Sequence, residues 1–129
     1  MLIFGNTYID SINFIEVSAI SDIKATTPKD IVVITKFQEP YSIAKHCMQN
    51  SVEFAIEAQS IKDALFAINF NATYIIANLE LAKTLQKIAT EYLWDTKVLV
   101  KIQDDNSLEE VALNSIDGVI YKNHIQRIN

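Results

Sequence analysis

The chain has 129 residues, half of them hydrophobic and about a fifth charged, which suits one domain with a sizeable core and is too little for two ordinary ones. A net charge of −5 with scattered lysines lacks the basic stripe that a duplex nucleic-acid binder carries. No run approaches the roughly 18 apolar residues of a membrane span, which excludes a membrane partner as well.

Two glycines and two prolines are few, so loops should be short, and nothing reads as a linker or a low-complexity segment. The single cysteine, Cys47, allows no internal disulfide and suits a reducing compartment. The opening MLIFGNTYID has no basic region ahead of its short apolar run, unlike a signal peptide. Both point to the cytoplasm. Abundant isoleucine, asparagine and lysine suggest an AT-rich genome and say nothing of function.

In chain order, the first ten residues offer a strand with a turn at Gly5–Asn6. Residues 13–19, NFIEVSA, read as another strand, and 21–27, SDIKATT, as a short helix stopped before Pro28. Strand-like runs then recur at 30–35 (DIVVIT), 52–57 (VEFAIE), 73–77 (TYIIA), 97–102 (KVLVKI) and 117–121 (DGVIY). Between them the apolar period lengthens from near 2 to near 3.6, as helices between strands require. Pro40 suits a first helical position, where a missing N–H costs nothing. In the helix that follows, Ile43, Ala44, Cys47 and Met48 share a stripe, so Cys47 reads as a core residue. Ser60 with Asp63, and Ser107 with Glu110, resemble capping boxes. Asn78 reads as the N-cap of a helix whose apolar stripe is Leu81, Ala82, Leu85, Ile88, Ala89, Tyr92 and Leu93. Glu80, Lys83, Gln86, Lys87, Thr90 and Glu91 form its solvated face.

This alternation implies a single α/β domain over residues 1–129, with repeated strand–helix units and a mostly parallel sheet of five or six strands. The expected layout is doubly wound, flavodoxin-like or Rossmann-like. The alternative is half a (β/α) barrel, whose helices cover one face and whose other face a partner must bury. In residues 52–57, Val52, Phe54 and Ile56 alternate with Glu53, Ala55 and Glu57, the pattern of an edge strand with one wet face. Runs 31–35, 73–77 and 97–102 read as interior.

Ligands of open α/β sheets bind outside the carboxyl ends of the strands. The turns there are TKFQEP (35–40), EAQS (57–60), AN (77–78), KIQDDNS (101–107) and YKNH (121–124), and none contains glycine. Neither the dinucleotide fingerprint nor a P-loop is present, so no nucleotide cofactor is implied. A phospho-receiver domain would need acidic residues ending its first strand and an aspartate ending its third, and TKFQEP and AN lack them. His46 and His124 have no ligand-spaced neighbours, and Asp104–Asp105 reads as a solvated loop, so no metal is implied. The remaining candidates are strand-end polar residues, foremost Lys36, Glu57, Asn78 and Lys101. If Glu57 and Lys101 share a sheet face, a lysine beside a carboxylate suits proton transfer or Schiff-base chemistry. Asn78 and the helix it opens, with Lys36 or Lys101, suit a small anionic ligand, a carboxylate rather than a phosphate ester.

The segment NATYIIANLELAKTLQKIATEYLWDTKVLVKI, with IDGVIY, resembles small uncharacterised α/β proteins of AT-rich bacteria over roughly the C-terminal half of the chain. IDGVIY is also similar to strands that open units of (β/α) barrel enzymes. Neither resemblance supplies a catalytic motif. Two functions follow as expectations. The first is a non-catalytic domain acting through protein–protein association as a homo-oligomer, such as a homodimer. The second is binding of a small anionic metabolite, or a lyase or isomerase reaction using the strand-end lysines and Glu57. A polar pocket of several hundred Å3 at the strand carboxyl ends would favour the second.

Overall fold

A computed structural model describes residues 1–128. The strands are β1 (Leu2–Phe4), β2 (Phe14–Val17), β3 (Ile31–Ile34), β4 (Phe54–Glu57), β5 (Tyr74–Ala77), β6 (Lys97–Ile102), β7 (Gly118–Tyr121) and β8 (Ile125–Arg127). Helices α1 (Ser42–Gln49), α2 (Ile61–Asn69), α3 (Leu79–Tyr92) and α4 (Leu108–Leu113) follow β3, β4, β5 and β6. A 3-10 segment, Ile20–Ala25, follows β2 where a short helix was expected. All eight strands join one parallel sheet in the order β1-β7-β6-β5-β4-β3-β2-β8. From β2 to β7 each strand lies beside the next, as successive strand–helix units place them.

Eight strands replace the expected five or six. The additional ones are short: β1 and β8 have three residues each, and β8 (Ile125-Gln126-Arg127) has a single apolar residue, too little pattern to read as a strand.

The sheet is curled, and its two faces are packed differently. The helices cover one face, where Val32, Ile34, Phe54, Ile56, Ile75, Val98, Val100 and Val119 meet Ala44, Cys47, Ala64, Ala67, Ala82, Leu85 and Val111. The other face holds strand side chains alone: Phe14, Ile31, Val33, Ala55, Ile76, Leu99 and Ile120, with Phe4, Tyr74 and Ile125 against them. Its rings meet across the curl. Phe4 of β1 lies 5.1 Å from Phe14 of β2 and 5.4 Å from Tyr74 of β5, strands far apart in the sheet order. Gly5, at φ 98, follows β1, and a Cβ there would stand 2.5 Å from Cβ of His124, the residue before β8. The curl therefore brings the two ends of the sheet together, and only glycine fits at that approach.

This geometry corrects the doubly wound expectation, since every helix packs on one face. The half-barrel alternative describes the sheet better, with one change. The chain fills the concave face with its own side chains, so no partner is needed to bury it.

The edge assignment of residues 52–57 is also overturned: β4 pairs with β3 on one side and β5 on the other. Its alternation has another cause. Ala55 sits in the packed interior of the curl, while Glu53 and Glu57 reach its two ends, where water enters. β3, β5 and β6 are interior strands as expected.

Several helix details follow the sequence. Leu81 N donates to Asn78 Oδ1 at 2.9 Å and Asp63 N to Ser60 Oγ at 3.1 Å, so both residues cap their helices. Ser107 makes no such bond; Asp104 takes the amide of Asn106 instead, capping a 3-10 turn (Asp105–Ser107) ahead of α4. Pro40 lies two residues ahead of α1, whose N-cap is Tyr41 in the left-handed region (φ 59). On α3, Ala82, Leu85 and Ala89 are buried and Leu81 and Ile88 half-buried, but Tyr92 and Leu93 are exposed. Leu93 (φ 54) turns the chain at the helix end, so Trp94 packs on the core in their place. Gln86, expected on the solvated face, is buried because it exchanges hydrogen bonds with Asp117 at the start of β7.

Candidate functional site

Inward-facing residues at the carboxyl ends of the strands form a charged mouth above the apolar interior. On β2, Phe14 faces inward, so Glu16, two residues on, does too. Arg127 of β8 is its register partner, and Arg127 Nε stands 2.8 Å from Glu16 Oε2. On β4 and β6 the same parity puts Glu57 above Ala55 and Lys101 above Leu99. Lys101 Nζ donates to Glu57 Oε1 at 3.1 Å, although β5 runs between their strands. The next inward position on β5 is 78. Asn78 turns its side-chain oxygen to the amide of Leu81, so nothing longer than Ile76 stands between lysine and glutamate.

Beside this mouth lies a cleft of about 620 Å3. Its walls are the carboxyl ends of β2 and β3, the loop from Thr35 to Tyr41, the first turn of α1 (Ser42, Ile43 and Ala44), and Arg127 with Ile128. The first amides of a helix have no intrahelical partner, no side chain caps α1, and the residues carrying those amides, Ser42, Ile43 and Ala44, line the cleft. Lys36 also borders it and makes no ion pair among the described residues. Among the described residues three carboxylates share the lining, and two of them are engaged. Glu16 holds Arg127. Asp22 accepts from the amides of Ser18 and Ala19 at 3.0 and 3.1 Å, and the Ser18 amide first among these bonds holds its carboxyl below the ordinary carboxylate range. Glu39 is exposed.

Rings back the cleft on one side. Tyr41 and Phe37 lie 4.8 Å apart, and Tyr41 also meets Phe66 at 5.2 Å and Phe70 at 5.6 Å. That packing offsets the cost, about 1 kcal/mol or more, of a left-handed tyrosine at the helix start.

The four residues singled out from the sequence thus fall in three places. Glu57 and Lys101 come together, on one sheet face as their chemistry would require. Lys36 lies apart from them, in the cleft, which neither Glu57 nor Lys101 borders. Asn78 serves as a helix cap and lines no part of the cleft. Glu16, Tyr41 and Arg127 were not foreseen. The glutamate had a signal: FIEV places a carboxylate two residues beyond an apolar inward position, as AIE does at Glu57. Arg127 had none, because β8 itself was not legible.

Other titratable groups stand elsewhere. Burial pushes the Tyr74 hydroxyl up, with the charge of Glu53 adding to it, at the opposite end of the curl. Burial also raises the Cys47 thiol to about 11, on the inner face of α1. Tyr121 donates to Asp105, which raises its pKa and ties the loop after β6 to β7. Among the described residues no group of three or more His, Cys, Asp or Glu side chains gathers as metal ligands would, and no helix is long and apolar enough to cross a membrane. No family model matches the chain, and no curated protein matches it.

Proposed function

We propose that this protein binds a small anionic metabolite, a carboxylate, in the cleft at the carboxyl ends of β2 and β3. The observation that carries this reading is the cleft itself: about 620 Å3, at the sheet edge where α/β proteins hold ligands, bordered by a lysine with no ion pair among the described residues and a helix start that no side chain caps. A carboxylate accepts bonds from Lys36 and from the amides of α1, and the helix dipole favours its charge. The loop from Thr35 to Tyr41 has no glycine to wrap backbone amides around a phosphate, which supports a carboxylate over a phosphate ester.

Isothermal titration of the wild type and Lys36→Ala against a panel of small mono- and dicarboxylates, with inorganic phosphate alongside, tests this. The expected result is saturable binding of at least one carboxylate, weakened about tenfold in Lys36→Ala, the loss of about one charge-assisted bond. No binding, or equal binding by both proteins, would refute it.

A second reading, association between copies of the chain, has its own support. Tyr92, Leu93 and Leu113 are 74%, 84% and 85% exposed at the carboxyl ends of α3 and α4, unusual for large apolar side chains. Sedimentation of the wild type against Leu93→Lys/Leu113→Lys measures it. A wild type that stays monomeric at high concentration would leave this reading without support.

A further inference from the structure

The geometry points to a second site at the mouth of the curl, where Lys101 condenses with the carbonyl of an aldehyde or 2-oxo acid and Glu57 moves the protons. Lys101 Nζ is held 3.1 Å from Glu57 Oε1, and both side chains stand over an interior of Ile76, Leu99 and Val33. The lysine side chain is 35% exposed and the glutamate 16%, so the pair sits at the boundary of solvent and interior with the lysine the more accessible partner. The pair also bridges two strands that are not neighbours, which fixes Nζ over the mouth rather than along the rim. Asn78 turns its side-chain oxygen to the amide of Leu81, so it does not pair with the amine.

The step balances without a further reactant. Glu57 takes one proton from the ammonium, and the neutral nitrogen adds to the carbonyl carbon as the C=O electron pair moves to oxygen. The nitrogen loses a second proton, the two protons reach the alkoxide oxygen through Glu57, and water departs as the nitrogen lone pair closes the C=N bond. The sum is an ammonium and a carbonyl compound giving a protonated imine and one water. An apolar floor favours this addition by keeping bulk water from the lower face of the amine.

The ten lysines of the chain, the eleven basic residues less Arg127, supply internal controls. The protein is incubated with pyruvate or glyceraldehyde, reduced with borohydride and mapped by peptide mass spectrometry. The expected result is modification of Lys101 at least about fivefold above the mean of the other nine lysines with one of the two probes, falling to that mean in Glu57→Gln. Circular dichroism establishes that the variant is folded. If it is not, Glu57→Asp, whose carboxylate falls one methylene short of Nζ, replaces it. Lys101 modified no more than the other lysines, or equally in wild type and a folded Glu57 variant, would make the pair a strut between β4 and β6 and overturn the inference. Neither Glu57 nor Lys101 lines the cleft, so the mapping of Lys101 and the titration of Lys36→Ala read different residues and can fail separately.

Discussion

Replacing Asp117 with alanine should remove the polar joint that fixes α3 to the sheet. The Asp117 carboxylate accepts from Val98 N at 2.9 Å and from Gln86 Nε2 at 3.3 Å, and its own amide donates to Gln86 Oε1 at 3.0 Å. The substitution keeps the last bond and deletes the first two. Hydrogen bonds to a charged acceptor contribute about 1.5–3 kcal/mol each, and the Gln86 bond, being long, belongs at the low end. Gln86 is buried and its Nε2 retains only a 3.5 Å contact to Thr90 Oγ1, so the freed NH2 adds a desolvation cost. The expected loss for Asp117→Ala is therefore about 3–5 kcal/mol, measured by urea unfolding with an unchanged slope. Asp117→Asn should fall between, because its NH2 must face one of the two donors. Gln86→Ala and Asp117→Ala should not add, the double variant losing at least about 0.5 kcal/mol less than the sum. A loss under about 1 kcal/mol for Asp117→Ala, or strict additivity, would mean the joint is solvated and α3 is held by its apolar stripe alone.

Leu85→Ala, at the buried centre of that stripe, should cost about 2–5 kcal/mol in the same assay, and a loss under about 1 kcal/mol would place the stripe against solvent. Cys47 should resist alkylation at pH 8 in the native protein while the urea-unfolded chain reacts fully, and native reactivity within tenfold of the unfolded chain would contradict its burial. The sign for stability follows from the raised thiol. The fold favours the protonated form, so its contribution is complete below the ordinary value of 9.0 and is lost as pH rises through about 11. Unfolding titrations of wild type and Cys47→Ala should thus diverge in pH dependence only above about pH 9, and parallel curves there would refute the assignment.

The alternation of strands and helices was legible because each unit carries its own period and its own cap, as Ser60 and Asn78 illustrate. The curl was not, because it depends on residues far apart in sequence. Nothing local in LIF or FIEV announces that Phe4 and Phe14 will meet Tyr74. The misplacement of β4 has the same origin. A carboxylate at each end of a strand looks like a wet face when the sheet is imagined flat, and like two wet ends once it is rolled. Lys36, Glu57 and Lys101 were legible as strand-end polar residues. Which of them would meet was not, because that depends on the stagger between β4 and β6 and on the withdrawal of Asn78.

The pairing of charges decides where an anion can be held. At the mouth, Glu16 with Arg127 and Glu57 with Lys101 give two cations and two carboxylates, already matched. An anion entering there would have to break a pair before gaining a contact. Lys36 lies one position beyond the inward-facing Thr35, in the loop toward α1, and has no carboxylate paired with it among the described residues. The chain as a whole carries −5, and that field opposes an approaching anion at distances where salt has not yet screened it, about 8–10 Å. Capture must then rest on short contacts, the ammonium of Lys36 and the amides of Ser42, Ile43 and Ala44, rather than on steering. Contacts of that kind select by the spacing of donors. The cleft should therefore discriminate among carboxylates by length and shape more sharply than by total charge, since each added negative charge also adds to the repulsion from Glu39 and the rest of the surface.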